Sequence, residues 1–445
     1  MILSEIKTGH DFYRRIWQPG EVVVGNMEER GLLLDTAVCE AEYEITHART
    51  SALLARLEEQ TGEVLNWASP KQVSGFLYDT LGLPVPPIHG SERAVKITKQ
   101  GERPTSEAAL QWLRTRNPQL VWLGTMLEWK ESATLEKFWK LLPAHVGPDG
   151  RIHCQLAPDT ETGRLNPKNP NLSAVDKVVR KAFIAPEGKK LVALDFSGLE
   201  WRILAHVLAH KYKDYSLVEE IVAGIDPHSA TAVKMGLCPG PVENVKKDHP
   251  EDRDKGKILN YSINYGKTDA GLGVQIKGAD GEGIGTRAGR ALLDGFYEAR
   301  PGIARFHKDI VNYAKAKGGV RSLLGWFRPI TQAFEVRNRF GTREGPGARQ
   351  AKNVIQNCAT DVVWLAMLRV DGEGWASPDL RETGAELLFQ NHDELVLEVD
   401  EDKAEAAEQA ATEAMANCLD GVREFLCPLG VDGGIGSNWA ECKGS

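Results

Sequence analysis

The sequence predicts an α+β protein of two or three subdomains, on three observations. Its 445 residues are too many for one compact core. Its apolar periodicity is helical over two long stretches, about 27–142 and 199–318. Its most apolar extended runs are few: 190–195, and the pair 385–390 and 394–399. Each of these runs ends in, or encloses, an acid.

Composition sets the broad class. Hydrophobic content of 42% and charged content of 26% are those of an ordinary globular protein. No run reaches the ~18 apolar residues of a membrane span. The start, MILSEIKTGHDFYRR, lacks the basic and apolar regions of a secretory signal. The seven cysteines are scattered, with no CxxC pair, so neither a zinc knuckle nor a disulfide framework is indicated. A reducing compartment, the cytoplasm, is expected. The net charge of -8 argues mildly against a protein that coats nucleic acid. The charge is segregated, however: 371–420 is acidic, while 177–190 and 253–257 are basic. That pattern suits a basic channel on an acidic body.

The elements follow in order. Residues 38–60 read as a long amphipathic helix. Ser69, Pro70 and Gln72 mark a helix start with a capping box. Gly82 and Pro84, Pro86 and Pro87 end that helix, and a basic loop, 96–105, precedes helices over 106–142. Residues 147–150 form a turn and 151–156 a strand. Lys190–Asp195 reads as a buried strand with its carboxylate at the exit. Residues 318–347 are turn-rich, and a helix is expected near 349–370. Two strands then flank Asn391-His392-Asp393. A helix over 403–418 and an irregular tail close the chain.

Three places carry chemistry. Asp195, on a rigid strand, suits a hard cation such as Mg2+, which takes one or two carboxylates plus substrate phosphates. It also reads as the N-cap of the next helix. Glu200, in that helix's first turns, reads equally as a helix-dipole partner. At the second place, His392, Asp393 and Glu394 sit at a hairpin tip, where polar residues are usually only solvated. The apolar flanks put this tip against a core, so Asp195 and Asp393 would be able to converge on two metals ~3.5–4 Å apart. At the third place, Arg253, Lys257, Tyr261 and Tyr265 recur every four residues and share one slowly drifting helix face. Two cations followed by two rings suit the phosphates, sugar and base of a nucleotide. A solvated helix bordered by tyrosines is the alternative.

Together these segments resemble family A DNA polymerases, the group of bacterial DNA polymerase I and the podophage replicative enzymes. DFSGLEWR (195–202) resembles motif A. RDKGKILNYSINYG (253–266) resembles motif B, and NHDELVLEV (391–399) motif C. Weaker matches run from about Val22 to the closing Gly436-Ser-Asn-Trp439. They include Thr162-Gly-Arg-Leu165, Asn169-Pro-Asn-Leu172, Arg180–Pro186, Asp226–Thr231 and Gln356–Asp361. Ser197–Glu200 and Leu204-Ala-His206 are closer to the phage branch.

The resemblance implies a right hand. Residues 1–26 would be an N-terminal segment, 27–146 a thumb, 147–205 and 349–445 an antiparallel palm, and 206–348 helical fingers. It implies a template-directed DNA polymerase that adds dNTPs to a primer by two-metal phosphoryl transfer. Asp195, Asp393 and the Phe196 carbonyl would hold two Mg2+ ions, with Mn2+ a substitute, and Glu394 would be a supporting acid. Arg253, Lys257 and His228 would grip the triphosphate, and Lys257 would protonate the leaving pyrophosphate. Tyr261 would pack on the incoming sugar and base, a tyrosine there being similar to enzymes that accept dideoxynucleotides. Tyr265 would stack near the templating base, and Glu200 would exclude a ribose 2′-OH. Arg164, Asn171, Gln356 and His392 would touch DNA; for Arg164, Asn171 and Gln356 the contact is to minor-groove acceptors, which check shape rather than sequence.

The partners implied are primer-template DNA and dNTPs. The protein is expected as a monomer off the membrane, in a bacterial cytoplasm and compatibly phage-encoded. Thumb-like sequence begins too early for an exonuclease domain, so no proofreading is expected of this chain; a separate exonuclease or replication proteins are compatible partners. Ala174, Lys352 or Asn353, Lys255, Gly256 and Ser262 depart from the family pattern. The competing readings are a single-subunit RNA polymerase, an inactive polymerase-like subunit and a metal-dependent nuclease or phosphatase. Glu200, Tyr261 and Glu394 discriminate against the first. Intact Asp195, Asp393, Arg253 and Lys257 speak against the second, and the basic stripe would be idle in the third.

Overall fold

A computed structural model describes residues 9–86, 103–276, 278, 283–338 and 341–442. Most of the expected basic loop, and Pro87, lie outside the described residues. The chain divides into two compact units. One comprises 1–36, 142–266 and 299–445; the other comprises 37–141 and 267–298.

The first unit is built on a four-stranded antiparallel sheet. Its order is Glu386–Asn391, Glu394–Asp400, Lys189–Ser197, Gly430–Gly436. Leu191, Val192, Ala193 and Leu194 are buried in succession, which is why the central strand reads as a continuous apolar run. The Ala404–Ala416 helix packs on the central and glycine-rich strands. The Val354–Asp371 helix is buried along nearly its whole length, between the Leu199–Tyr212, Ala404–Ala416 and Gln18–Arg30 helices.

The sheet corrects several expectations. Asp195 is two residues short of its strand's end, not at the exit. The helix that follows is capped by Gly198 in the left-handed region, with no side-chain cap, so Asp195 is not an N-cap. The supposed irregular tail contains the fourth strand, Gly430–Gly436. Glycine is depleted in strands, which hid it. The glycines answer to close approach: a Cβ on Gly433 would sit 2.0 Å from the Ala193 carbonyl oxygen. The turn-rich stretch holds two hairpins, Gly319–Arg321 with Phe327–Pro329 and Glu335–Asn338 with Gly341–Glu344. The 151–156 strand is instead two short ones, Arg151–Ile152 and Gln155–Ala157. The expected 349–370 helix is two, Pro346–Lys352 and Val354–Asp371, broken at Asn353.

The second unit contains the long Thr36–Thr61 helix, from residue 37 on, and the Glu107–Arg116 and Trp122–Leu141 helices. Trp67, Phe76 and Trp122 meet in its core, with Phe76 5.6 Å from each tryptophan ring. Ser69 caps the next helix by accepting from the Gln72 N–H. The capping box is not closed as expected. The Gln72 carboxamide oxygen accepts from the Asn66 N–H, and Ser69 N–H goes to the Asn66 carbonyl.

The seven cysteines are buried and form no disulfide. No described helix is long and apolar enough to cross a membrane.

Candidate active site

Two adjacent strands bring the acids together. Glu394 is the Cα partner of Asp195 across the central strand pair. The Phe196 N–H donates to the Asp393 carbonyl at 3.2 Å. The hairpin turn is only His392-Asp393, and His392 takes a left-handed φ of 58° to close it. Asp195, Phe196, Glu200, Tyr261, Tyr265, His392, Asp393, Glu394, Arg164 and Arg180 line one cleft of about 280 Å³.

The acids of this cleft differ in their partners. Glu394 is almost wholly buried and already satisfied. Arg180 donates to it at 3.1 Å while stacking over the Trp439 ring, and the Trp439 indole N–H donates to it at 3.3 Å. Asp393 is different. One of its oxygens is buried without a hydrogen-bond partner among the described residues, and Arg164 stands 3.7 Å away. Burial pushes its carboxyl above the usual range, although Arg164 and His392 pull it down. A carboxylate oxygen so placed fits a cation. With Asp195 beside it, two carboxylates and a strand carbonyl would leave the other coordination positions to phosphate and water. Among the described residues no cluster of three or more metal-ligating side chains occurs.

Glu200 faces the same cleft from the first turn of its helix. Arg164 pairs with it at 3.0 Å and the Tyr265 hydroxyl donates to it. Burial still raises its carboxyl, against the pull of Tyr265 and Arg164.

The basic stripe lies on the Pro250–Asn264 helix, with Tyr265 as its C-cap. Tyr261 and Tyr265 are half-exposed into the cleft; Arg253, Lys257 and His228 are not among its lining residues. Arg253 makes a two-pronged ion pair with Asp226, at 2.9 and 3.0 Å. Asp226 also caps the Pro227–Lys234 helix, which carries His228. The His228 ring lies 5.5 Å from that of Tyr261. Lys257 is exposed and makes no ion pair among the described residues.

The departures in this segment have local causes. A Cβ on Gly256 would lie 2.3 Å from the His228 carbonyl oxygen, so glycine lets the two helices touch. Lys255 pairs with Asp252 at 2.9 Å. Lys352 is buried and bonds Glu344 at 2.7 Å.

Asn171 and Gln356 are not in the cleft. Asn171 caps the short Leu172–Ala174 turn, and Gln356 accepts from Asn353 at 3.1 Å. Arg180, Asp226 and Asn260 were not singled out as site residues from the sequence. All three stood inside recognised segments, and only the fold shows what each one holds.

Known proteins resemble this chain in sequence and fold. The family model for DNA polymerase family A matches residues 36–441. DNA polymerase I of Pseudomonas aeruginosa is 31% identical over 432 residues, covering 94% of this chain and 43% of that protein. The thermostable DNA polymerase I of Thermus filiformis is 32% identical over 445 residues, covering 97% of this chain and 48% of that protein. A solved POL domain of Pol1 from M. smegmatis, in complex with DNA primer-template and dNTP, aligns with a TM-score of 0.81 at 26% identity. The alignment covers 97% of this chain and 73% of that one. The chain spans less than half the length of these two curated relatives.

Proposed function

The chain belongs to DNA polymerase family A, and from that membership we propose that it extends a primer with dNTPs as a template-directed DNA polymerase. The observation that carries the proposal is the single cleft that joins Asp195 and Asp393 to Glu200, Tyr261 and Tyr265.

Asp195, Asp393 and the Phe196 carbonyl would hold two divalent cations, Mg2+ or Mn2+. Those cations would supply charge neutralisation at the attacking and leaving oxygens when bound. The chain's own residues do the rest. Arg253, its plane fixed by Asp226, keeps guanidinium N–H groups for the triphosphate. Lys257 brings an exposed ammonium to the same side and can return a proton to the leaving pyrophosphate. Tyr261 packs on the sugar and base. Tyr265 holds Glu200 where a ribose 2′-OH would collide with it. Arg164, Asn171, Gln356 and His392 bear on the primer-template.

In this reading 27–146 is a thumb, 147–205 and 349–445 a palm, and 206–348 fingers, preceded by an N-terminal segment, 1–26. Closure of the 253–266 segment would exclude water before chemistry. The protein acts as a monomer in the cytoplasm of a bacterium, and a phage-encoded origin is compatible with the same chemistry.

Primer extension on a primed DNA template tests this, with dNTPs and rNTPs supplied separately and Asp393→Ala as control. Extension with dNTPs alone, lost in the variant, is expected. Efficient extension with rNTPs would favour an RNA polymerase, and no extension under varied salt and metal an inactive subunit.

A further inference from the structure

Behind His228 runs a chain of buried polar groups that the reading above does not use. Glu220 accepts from Arg300 at 2.7 and 2.9 Å. Arg300 also donates to the Thr231 hydroxyl oxygen at 3.3 Å. Thr231 lies 2.9 Å from the Asn260 carboxamide oxygen. The Asn260 carboxamide nitrogen reaches the Pro227 carbonyl and the His228 Nδ1, both at 3.1 Å. Thr231 and Asn260 are at most 1% exposed, and Arg300 is 4%.

The direction of every bond follows from donor chemistry. A guanidinium only donates, so the Thr231 oxygen accepts from Arg300 and turns its own hydrogen to Asn260. That fixes the Asn260 oxygen as acceptor. The Pro227 carbonyl only accepts, which independently fixes the Asn260 nitrogen as donor. The second N–H of that nitrogen faces the His228 Nδ1, which must therefore carry a lone pair. A neutral imidazole with an unprotonated Nδ1 carries its proton on Nε2.

We propose that the Glu220–Arg300–Thr231–Asn260 relay locks His228 in the Nε2–H tautomer, so that it meets the incoming triphosphate as a neutral hydrogen-bond donor. Asn260 and Thr231 are positioning residues in this scheme, and His228 is the contact. Among the described residues Nε2 makes no hydrogen bond of its own. Protonating Nδ1 would set two donors face to face, which opposes the imidazolium. Burial opposes it too, as do the nearby Arg253 and Lys257, against Asp226 and Asp254. Arg253 and Lys257 then carry the positive charge, and His228 contributes direction rather than charge. Only the identity of the ligand rests on the polymerase reading; the tautomer does not.

The test is the 15N spectrum of histidine-labelled full-length chain without nucleotide, with the His228 signals assigned by their loss in His228→Gln. Nδ1 is expected unprotonated and Nε2 protonated across neutral pH. In Asn260→Asp the carboxylate only accepts, so the proton is expected to move to Nδ1. The KM for dNTP should then rise on the order of tenfold, with a smaller change in kcat. Thr231→Val removes the donor to the Asn260 oxygen and leaves the Pro227 carbonyl alone to orient the carboxamide, so a minor Nδ1–H population is expected, and Thr231→Ser should abolish it. A wild-type Nδ1–H, or an Asn260→Asp spectrum with the proton still on Nε2, would overturn the proposal. If Asn260→Asp does not fold, the wild-type spectrum and the Thr231 pair decide. A chain with the expected tautomer but no primer extension would separate failure of the polymerase reading from failure of this one.

Discussion

The Phe196 N–H donates to the Asp393 carbonyl at 3.2 Å, which fastens two segments almost two hundred residues apart in sequence into one acidic corner. The bond continues the ladder that pairs Glu394 with Asp195. Asp195 is held within the sheet, and Asp393, in the two-residue turn, is tied to it by this bond, which limits the drift that a free loop would allow. Asp393 keeps a buried oxygen with no hydrogen-bond partner among the described residues, whereas Glu394 is engaged by Arg180 and Trp439. In the proposed function Asp393 would hold a cation, while Glu394 holds the hairpin through Arg180 and Trp439.

Glu200→Ala should relax the exclusion of ribonucleotides. The side chain is held in the cleft by Arg164 and Tyr265. Its loss should improve the ratio of rNTP to dNTP incorporation by on the order of 10- to 100-fold. Single-nucleotide kcat/KM values for a matched dNTP and rNTP check this. An unchanged ratio would remove Glu200 from sugar discrimination.

Gly256→Ala should destabilise the protein by about 1–3 kcal/mol. The added methyl would meet the His228 carbonyl oxygen at 2.3 Å, and backbone cannot swing aside as a flexible side chain would. Urea unfolding measures the loss. The variant should also bind dNTP less tightly, because His228 and Tyr261 sit on the two helices forced apart.

Asp361 gives the fold a pH dependence of stated sign. It is completely buried, and its carboxyl is pushed up to about 7 by desolvation, against hydrogen bonds from Ser322 and the Leu324 N–H and the charge of Arg423. A carboxyl raised in the folded state binds its proton there after the unfolded chain has lost it. Its contribution is present in full below the ordinary carboxylate range and is lost as pH rises to about 7. Asp361→Asn should therefore raise the thermal midpoint more at pH 8 than at pH 5. An equal shift at both would place the effect elsewhere.

Much of the site was legible in the sequence, because its residues sit on elements with strong periodic signals. The apolar run 190–195 and the hairpin 385–399 are strands, and the Arg253, Lys257, Tyr261, Tyr265 spacing is one helix face ending at its cap. What escaped notice lacks such a signal. The Gly430–Gly436 strand has few side chains to alternate, and its glycines record close packing instead. The pairs Arg253 with Asp226 and Arg180 with Glu394 join distant segments, so no local pattern announces them. The thumb-like helix start was read from its cap, but the partner of Gln72 was set by the preceding turn at Asn66.

The most direct measurement is single-turnover incorporation of one dNTP on a primed template, in Mg2+, by the wild type, Asp195→Asn, Asp393→Asn and the double variant. If the two carboxylates act as one metal-holding unit, each single change should slow incorporation by about 10³-fold or more, and the double variant should be little slower than either. A single variant that keeps a near wild-type rate, or losses that multiply in the double variant, would contradict the shared site on which the account rests.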